Sequence, residues 1–394
     1  MSGNPASKLT VGDLFRKTDK AFLRRLTPEQ AKVAYNLAGC RTARMGGHIW
    51  RCDHCRKEIP MYNSCRDRHC PGCQASARFK WVEARCAELL PVPYFHVVFT
   101  LPHILNPLIA YNPRRLLGCL FQAASQALLK FAADQKYLGA CPGILMVLHT
   151  WGQKLNRHYH VHCVVTGGGL TEEGEWKAVP SDKFLFPIDP LSTVFQGIYL
   201  ERLEKLFVAQ KLKLPPDWTL TLDQLKQRLY KNKWVVYAKP PFGNPSLVLK
   251  YLGRYTHRVA IANSRLTGFD GNMVTFKYKD YRDDACWESL TLPLDDFLNR
   301  FLRHVLPKGL MRIRSFGILS NPKKKASLAR CREILGEPDL SEALAETMEP
   351  DSEPMIDDTS ILESGCICPY CKEGILNIIK VCKQVPFADF LDSS

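Results

Sequence analysis

The stretch RHYHVHCVVTGGG, residues 157–169, decides the reading of this chain. Side chains of a β-strand point alternately to its two faces. In an extended backbone His160 and His162 therefore share one face, and Val161, Cys163 and Val165 share the other. Such a strand packs its aliphatic side under a sheet. Two imidazoles are left side by side on an open face, where neutral ring nitrogens can chelate one divalent cation. An isolated His-x-His is equally compatible with two half-exposed strand residues, so the surrounding sequence must carry the argument. The preceding apolar run, GILMVLHTW (143–151), holds His149, and the intervening QKLNR (153–157) is long enough to turn a hairpin. Antiparallel pairing would set His149 beside His160 and His162, a three-imidazole site with positions left for substrate oxygens and water. Gln153 competes for the third place, and His158 reads as a polar residue at the strand entrance.

Working outward, the elements alternate as strand, helix, strand, strand, helix, strand. These are YFHVVFTLP (94–102), a helix across 113–136, the two histidine-bearing strands, helical stretches within 190–229 and KWVVYAKPP (233–241), with a further helix from about 245. A βαββαβ order of this kind predicts an α+β fold, a ferredoxin-like (RRM-like) domain with a central antiparallel sheet, over residues 91–262. Residues 263–336 add a hairpin turned at Asp270, Gly271 and Asn272, the helix LDDFLNRFLRHVL, the strand GLMRIRSFGIL and a basic helix, as accessory elements. Residues 1–39 read as helical, with Thr27 as N-cap, Pro28 in the first turn and Gly39 as the stop.

Residues 40–90 form a cysteine-rich module. CDHCRKEIPMYNSCRDRHCPGC places Cys52-x2-Cys55 and Cys70-x2-Cys73 in succession, the spacing of a four-cysteine structural zinc ribbon, because each tight turn aims two thiolates at one tetrahedral ion. Cys40, His48, Cys65 and His69 are chemically sufficient for a second zinc, with ordinary packing as the alternative. Arg66 and Arg68 between the knuckles, and Arg78 and Lys80 after them, suit contact with DNA. Residues 337–363 carry ten acidic and no basic side chains and read as an acidic linker. The tail beyond it contains Cys366, Cys368, Cys371 and Cys382; lacking an obvious second knuckle, it reads more as a flexible or partner-binding tail than as a further zinc site.

Charge points to a polyanionic partner. The 394 residues hold 54 Lys+Arg against 39 Asp+Glu, a net +15. The last 58 residues contribute 3 basic and 13 acidic groups, so the first 336 carry 51 basic and 26 acidic, a net of +25. No secretory start is visible, apolar runs such as PGILMVL are too short to cross a bilayer, and 16 cysteines then read as reduced thiols or metal ligands. The expectation is a cytoplasmic protein, nucleoid-associated and without a membrane partner.

A second constellation lies in SLVLKYLGRYTHRVAIAN, where Tyr251 and Tyr255 stand four apart. On a helix both phenols share a face. Tyrosines at this spacing also form packing stripes, but here Arg254, His257 and Arg258 crowd the segment. Together, HVH on a central strand, YLGRYTHRVAI some ninety residues later and YNSCRDRHCPGCQ before them resemble the two-tyrosine rolling-circle transposases of the insertion-sequence-ninety-one family, which are HUH endonucleases. The likeness spans about residues 25–330 and includes CRTARMGGH, HTWGQ, GGGL and LRHVLPKGLMRIRSFG. Tyr159 stands where the family pattern leads one to expect proline.

The resemblance implies Tyr251 and Tyr255 as nucleophiles on single-stranded DNA of element ends and target. It implies Mg2+ or Mn2+ on His160, His162 and His149, structural Zn2+, and Arg254 and Arg258 beside the DNA. The absence of a G-x-x-x-x-G-K-[ST] motif leaves strand unwinding to a host replication helicase and polymerase. The same chemistry would serve a plasmid or phage replication initiator or relaxase. A zinc-dependent DNA-binding regulator without catalysis would need neither the histidine nor the tyrosine pair, and an RNA-binding ferredoxin-like module would show paired sheet aromatics that are not evident.

Overall fold

The computed structural model describes residues 9–73, 81–85, 87–180, 185–242, 260–280, 286–338 and 366–385. Helices α1 (Val11–Lys17), α2 (Lys20–Arg24) and α3 (Pro28–Gly39) open the chain. Helix α3 starts where a capping box forms: the Thr27 hydroxyl accepts from the Gln30 N–H while the Gln30 side chain accepts from the Thr27 N–H. Strands β1 (Gly47–Cys52) and β2 (Glu58–Tyr62) follow. Next come β3 (Tyr94–Thr100), α4 (Asn106–Tyr111), α5 (Pro113–Ala133), β4 (Cys141–Trp151), β5 (Arg157–Leu170), β6 (Trp176–Ala178), α6 (Ile188–Val208), α7 (Leu222–Tyr230) and β7 (Val236–Phe242). The remainder comprises β8 (Leu266–Phe269), β9 (Met273–Asp280), β10 (Cys286–Pro293), α8 (Leu294–Leu302), β11 (Ile313–Gly317), α9 (Lys324–Leu335) and β12 (Leu376–Cys382).

The central sheet is antiparallel throughout, in the order β11-β4-β5-β3-β7, with β6 added to β5. Alternation sorts its side chains. Phe95, Val97 and Phe99 of β3, Ile144, Met146 and Leu148 of β4, and Val161, Cys163 and Val165 of β5 enter one core with the buried faces of α5 and α6. Each such side chain is worth about 1.5–3 kcal/mol in burial. Phe99 meets Phe195 of α6 with ring centroids 4.8 Å apart. Helix α5 alone among the described residues is long and apolar enough to cross a membrane, but 67% of that stretch is buried, as in the core helix of a folded domain.

Only part of the opposite face is sealed by aliphatic packing. At one end Tyr94, Leu145, Val147 and Val164 pack under Leu89, Leu90, Val92, Ile318 and the α9 residues Leu328 and Cys331. The other end carries the histidines. Tyr159, at the position that departs from the family pattern, is buried on the helix side with Val161 and plays no part on the histidine face.

Two cores cross the boundaries expected from sequence at residues 39, 90, 262 and 336. The N-terminal helices share a core with the sheet β10-β9-β8 and α8, through Leu14, Phe15, Phe22, Val33, Phe276, Phe297 and Phe301. They are therefore not a separate region. Strand β11, expected as an accessory element, completes the edge of the central sheet beside β4. Strand β12, expected in a flexible tail, pairs with β1 in a sheet of order β12-β1-β2. In each case apolar side chains too few to stand alone find partners far away in sequence.

Strand β11 ends at Gly317, whose φ of 63° suits glycine and where a Cβ would run into the Pro142 carbonyl. Gly317→Ala is expected to cost on the order of 2 kcal/mol of stability. Urea denaturation of the two proteins measures it, and a change within 0.5 kcal/mol (roughly the scatter of neutral surface substitutions) would show that the edge strand docks without this constraint.

Candidate active site

His149 lies directly across from His160 in the β4/β5 ladder, and His162 is paired with Val147 on one side and Val98 of β3 on the other. One ring nitrogen from each of His149, His160 and His162 falls within a common 4.8 Å. Ring centroids are 4.4 Å apart for His149 and His162, 4.9 Å for His160 and His162, and 5.3 Å for His149 and His160. All three are buried, where an open face was expected from the sequence. Gln153, the competitor for the third place, lies in the loop between β4 and β5, where its backbone carbonyl accepts from the Arg265 guanidinium at 2.7 Å.

Neighbouring groups fix these rings. The His160 Nδ1–H donates to the His158 carbonyl at 2.9 Å, which leaves the lone pair on Nε2. His162 Nδ1 lies 2.9 Å from His96 Nε2, with the two rings edge to edge and their planes 4° from parallel. His149 stacks on Trp151 at 4.6 Å. Burial, then the neighbouring His149, holds His160 and His162 well below the usual histidine range, so both are neutral near pH 7 and able to bind a cation. Burial and then Lys239 bring His96 down to about 4. His96 lies in YFHVVFTLP, a stretch whose pattern predicts a strand but which by itself does not single out the histidine. Its signal emerges only with the β3/β5 register, which sets it on the face of His162.

The hairpin tip is anchored from below. Leu155 sits at φ 58° with its side chain buried in the second core. Its carbonyl is 3.2 Å from His304 Nε2, and His304 Nδ1 is 3.1 Å from the Thr150 hydroxyl. His158 pairs with His103 at 3.2 Å at the strand entrance.

The thiols are grouped differently from expectation. Cys52, Cys55, Cys70 and Cys73 do not form one cluster. Cys70 and Cys73 come together with Cys40 and Cys65, with Sγ–Sγ separations of 3.4 Å (Cys40–Cys73), 3.5 Å (Cys65–Cys73) and 3.8 Å (Cys40–Cys70). Cys52 and Cys55 meet Cys368 and Cys371 of the tail. The reason is geometric: β1 carries Cys52 to the end of its sheet beside β12, whereas the chain after β2 returns Cys65, Cys70 and Cys73 to the end of α3 and Cys40. The neighbouring thiols of Cys40, Cys65 and Cys70 hold the Cys73 thiol below its usual range.

His48 and His69 join neither group. His48 sits in β1 between Val381 and Met61. His69 Nδ1 pairs with Asp67 at 3.0 Å, and its Nε2 accepts from the Leu306 N–H at 3.4 Å. Arg68, half-buried, is tied to the fold, its guanidinium donating to the carbonyls of Leu306, Pro307 and Leu310 at 2.9, 3.2 and 3.0 Å. Arg66 is exposed. Arg78, Lys80, Tyr251, Arg254, Tyr255 and Arg258 lie outside the described residues.

Comparison with known proteins bears on this arrangement. A family model described as "Putative transposase" matches residues 143–326, and one described as "Transposase zinc-binding domain" matches residues 11–101. The "Putative transposase y4qJ" of Sinorhizobium fredii (strain NBRC 101917 / NGR234) is 42% identical over 382 residues, 94% of this chain and 95% of the relative. The chain belongs to the IS91 family of transposases. The "Transposase for insertion sequence element IS801" of Pseudomonas savastanoi pv. phaseolicola is 32% identical over 299 residues, 74% of this chain and 70% of the relative. Among solved structures, the conjugative relaxase TrwC in complex with oriT DNA, metal-bound, overlaps 42% of this chain and 71% of its own at 14% identity with a TM-score of 0.24, too distant to define the fold. In the transposase, the zinc-binding match takes in Cys40, Cys52, Cys55, Cys65, Cys70 and Cys73 and stops short of Cys368 and Cys371.

Burial holds the His304 pKa down to about 4, against about 6.5 in an unfolded chain. The unfolded chain therefore binds the extra proton first. The contribution of neutral, buried His304 is complete above about 6.5 and is lost as pH falls from there toward 4. His304→Gln is expected to lower stability at pH 7.5 while flattening the loss between pH 6.5 and 4.5. Urea denaturation at those pH values tests it, and parallel pH profiles for the two proteins would refute it.

Proposed function

We propose that this transposase nicks and rejoins single-stranded DNA at the ends of its element through a 5′-phosphotyrosine intermediate, by HUH chemistry. The observation that carries the reading is the convergence of His149, His160 and His162 on one sheet face, with His160 held in the tautomer that offers Nε2. The strand order β4-β5-β3-β7, with α5 and α6 on the opposite face, supports a ferredoxin-like description of this domain. The net charge of +25 over the first 336 residues fits a single-stranded DNA partner, which the chain would meet in the cytoplasm.

Three neutral imidazoles suit a divalent transition ion and leave coordination positions for oxygen. Mn2+ or Mg2+ held by His149, His160 and His162 would supply positive charge against the oxygens of the scissile phosphate. The chain's own part is nucleophilic. A phenolic oxygen of Tyr255 or Tyr251 bonds to phosphorus, the phenol loses its proton, and the P–O3′ bond breaks to free a 3′-hydroxyl. One phosphodiester replaces another, so the step needs no nucleotide hydrolysis, and attack by a 3′-hydroxyl reverses it. The second tyrosine accepts the next strand while the first remains occupied. Cys40, Cys65, Cys70 and Cys73 would hold a structural Zn2+ that braces the N-terminal module against the turn at 306–310.

Radiolabelled single-stranded element-end DNA incubated with the protein and Mn2+ is expected to give a covalent adduct on a denaturing gel. His160→Ala/His162→Ala should abolish the adduct and leave DNA binding within about threefold, since the pair is not part of the basic surface. Peptide mapping should find DNA on Tyr251 or Tyr255. An adduct at neither tyrosine, or undiminished cleavage by the double histidine variant, would sink the reading. Because the donor set is all nitrogen, half-maximal nicking is expected at lower Mn2+ than Mg2+ concentration. Metal titrations of the initial rate check the order, and the reverse order would indicate that oxygen donors complete the site.

A further inference from the structure

The zinc-binding match at residues 11–101 takes in Cys52 and Cys55 but not the two thiols they meet, Cys368 and Cys371. Cys52 and Cys55 flank a tight turn after β1, and Cys368 and Cys371 flank a second turn just before β12. The two turns face each other. Cys52 Sγ lies 3.6 Å from Cys371 Sγ, and Cys55 Sγ lies 3.7 Å from Cys368 Sγ. A zinc ion bound tetrahedrally by sulfur at about 2.3 Å requires sulfur–sulfur edges of about 3.8 Å. Disulfides close at about 2.05 Å, and all four cysteines are unbridged. Each turn aims a backbone N–H at a sulfur: Cys55 N–H donates to Cys52 Sγ and Gly374 N–H to Cys371 Sγ, both at 3.4 Å. Charge-accepting sulfur is thus prepared on both sides.

We propose that Cys52, Cys55, Cys368 and Cys371 form a second structural zinc site, which clasps the C-terminal tail to the N-terminal module. The packing alone is too thin to do this. The core of the sheet β12-β1-β2 contains four buried residues, Trp50, Cys52, Cys368 and Leu376, with Ile59, Met61 and Cys371 at its margin. Most of β12 faces outward, with Ile378, Ile379 and Val381 exposed. A layer of that size needs a covalent or metal staple. What else joins the tail is polar and local: Asp53 pairs with Ile375 through two hydrogen bonds, Tyr35 donates to the Val385 carbonyl at 2.5 Å, and Lys57 Nζ sits 3.4 Å above the Tyr370 ring. Binding converts four thiols to thiolates and releases their protons to solvent. Cys366 and Cys382 lie outside the group and serve as internal controls.

The test uses the full-length protein expressed with added zinc, with metal content measured per chain by mass spectrometry. Counted with His160→Ala/His162→Ala in every protein so that the imidazole group adds no ion, the chain with its cysteines intact is expected to carry two zinc ions. Cys368→Ser/Cys371→Ser and Cys52→Ser/Cys55→Ser should each carry one, and Cys366→Ser and Cys382→Ser should keep two. In the first two variants the backbone amides of residues 376–382 should exchange with deuterium at least tenfold faster. A tail variant with undiminished zinc, a cysteine-intact chain with one zinc, or iron in place of the second zinc would overturn the proposal. Thiol alkylation of the wild type covers the case in which serine variants precipitate. Cys55 is solvent-exposed, yet it should resist alkylation together with Cys368 and Cys371 until a chelator removes zinc. Alkylation of the three in zinc-loaded protein as fast as exposed Cys141 would equally overturn it. None of these readouts depends on DNA cleavage.

Discussion

The register of β4 on β5 is the constraint from which the rest of the candidate site follows. His149 opposite His160 puts three imidazoles on one face only because the ladder is fixed to the residue. A slip by one position would drive both β5 histidines into the helix-covered core and expose Val161 and Cys163 in their place. The hairpin tip resists such a slip. Leu155 is held in a left-handed conformation, a state that costs of order 1–3 kcal/mol for a non-glycine residue, and its burial in the second core offsets that cost. His304 ties the same loop to Thr150.

That second core gives the N-terminal module a part in shaping the histidine-bearing face. Arg68 and His69, one residue apart, both hold the turn at 306–310 that leads into β11. Asp67 in turn accepts from Asn36 of α3 at 2.8 Å and pairs with His69. A chain of polar contacts thus runs from the cysteine cluster to the edge strand beside β4. Hydrogen bonds from a guanidinium to buried carbonyls are among the stronger neutral-partner contacts, at about 1.5–3 kcal/mol each. The basic residues between the cysteines are accordingly divided, with Arg68 serving the fold and Arg66 left at the surface.

Local pattern made much of this legible. The two-residue period of HVH, the strand ending in His149 and the capping signal at Thr27 and Pro28 depend on neighbours within a few residues, and the sequence displays them directly. What escaped depends on distant partners. His96 acquires meaning from a strand 66 residues away, and Cys52 from a cysteine 319 residues away. Sequential proximity suggested joining Cys52 and Cys55 to Cys70 and Cys73, because consecutive knuckles usually share an ion. Here a strand and its return path separate them. A bare Cys-x2-Cys at 368–371 was visible, but its mate lay in the module already assigned elsewhere. The cysteine pattern identified the ligand chemistry and left the partition to topology.

The pairing of β1 with β12 also imposes an order on biosynthesis. β1 is the middle strand of its sheet, so it has a partner on one edge as soon as β2 emerges and on the other only when residue 382 has left the ribosome. At about 5–20 residues per second, the interval from Cys52 to Cys371 is roughly 15–60 s. Throughout it the growing chain carries an open strand edge in its first module. Chains that end early through a nonsense codon or a degraded message never close that edge.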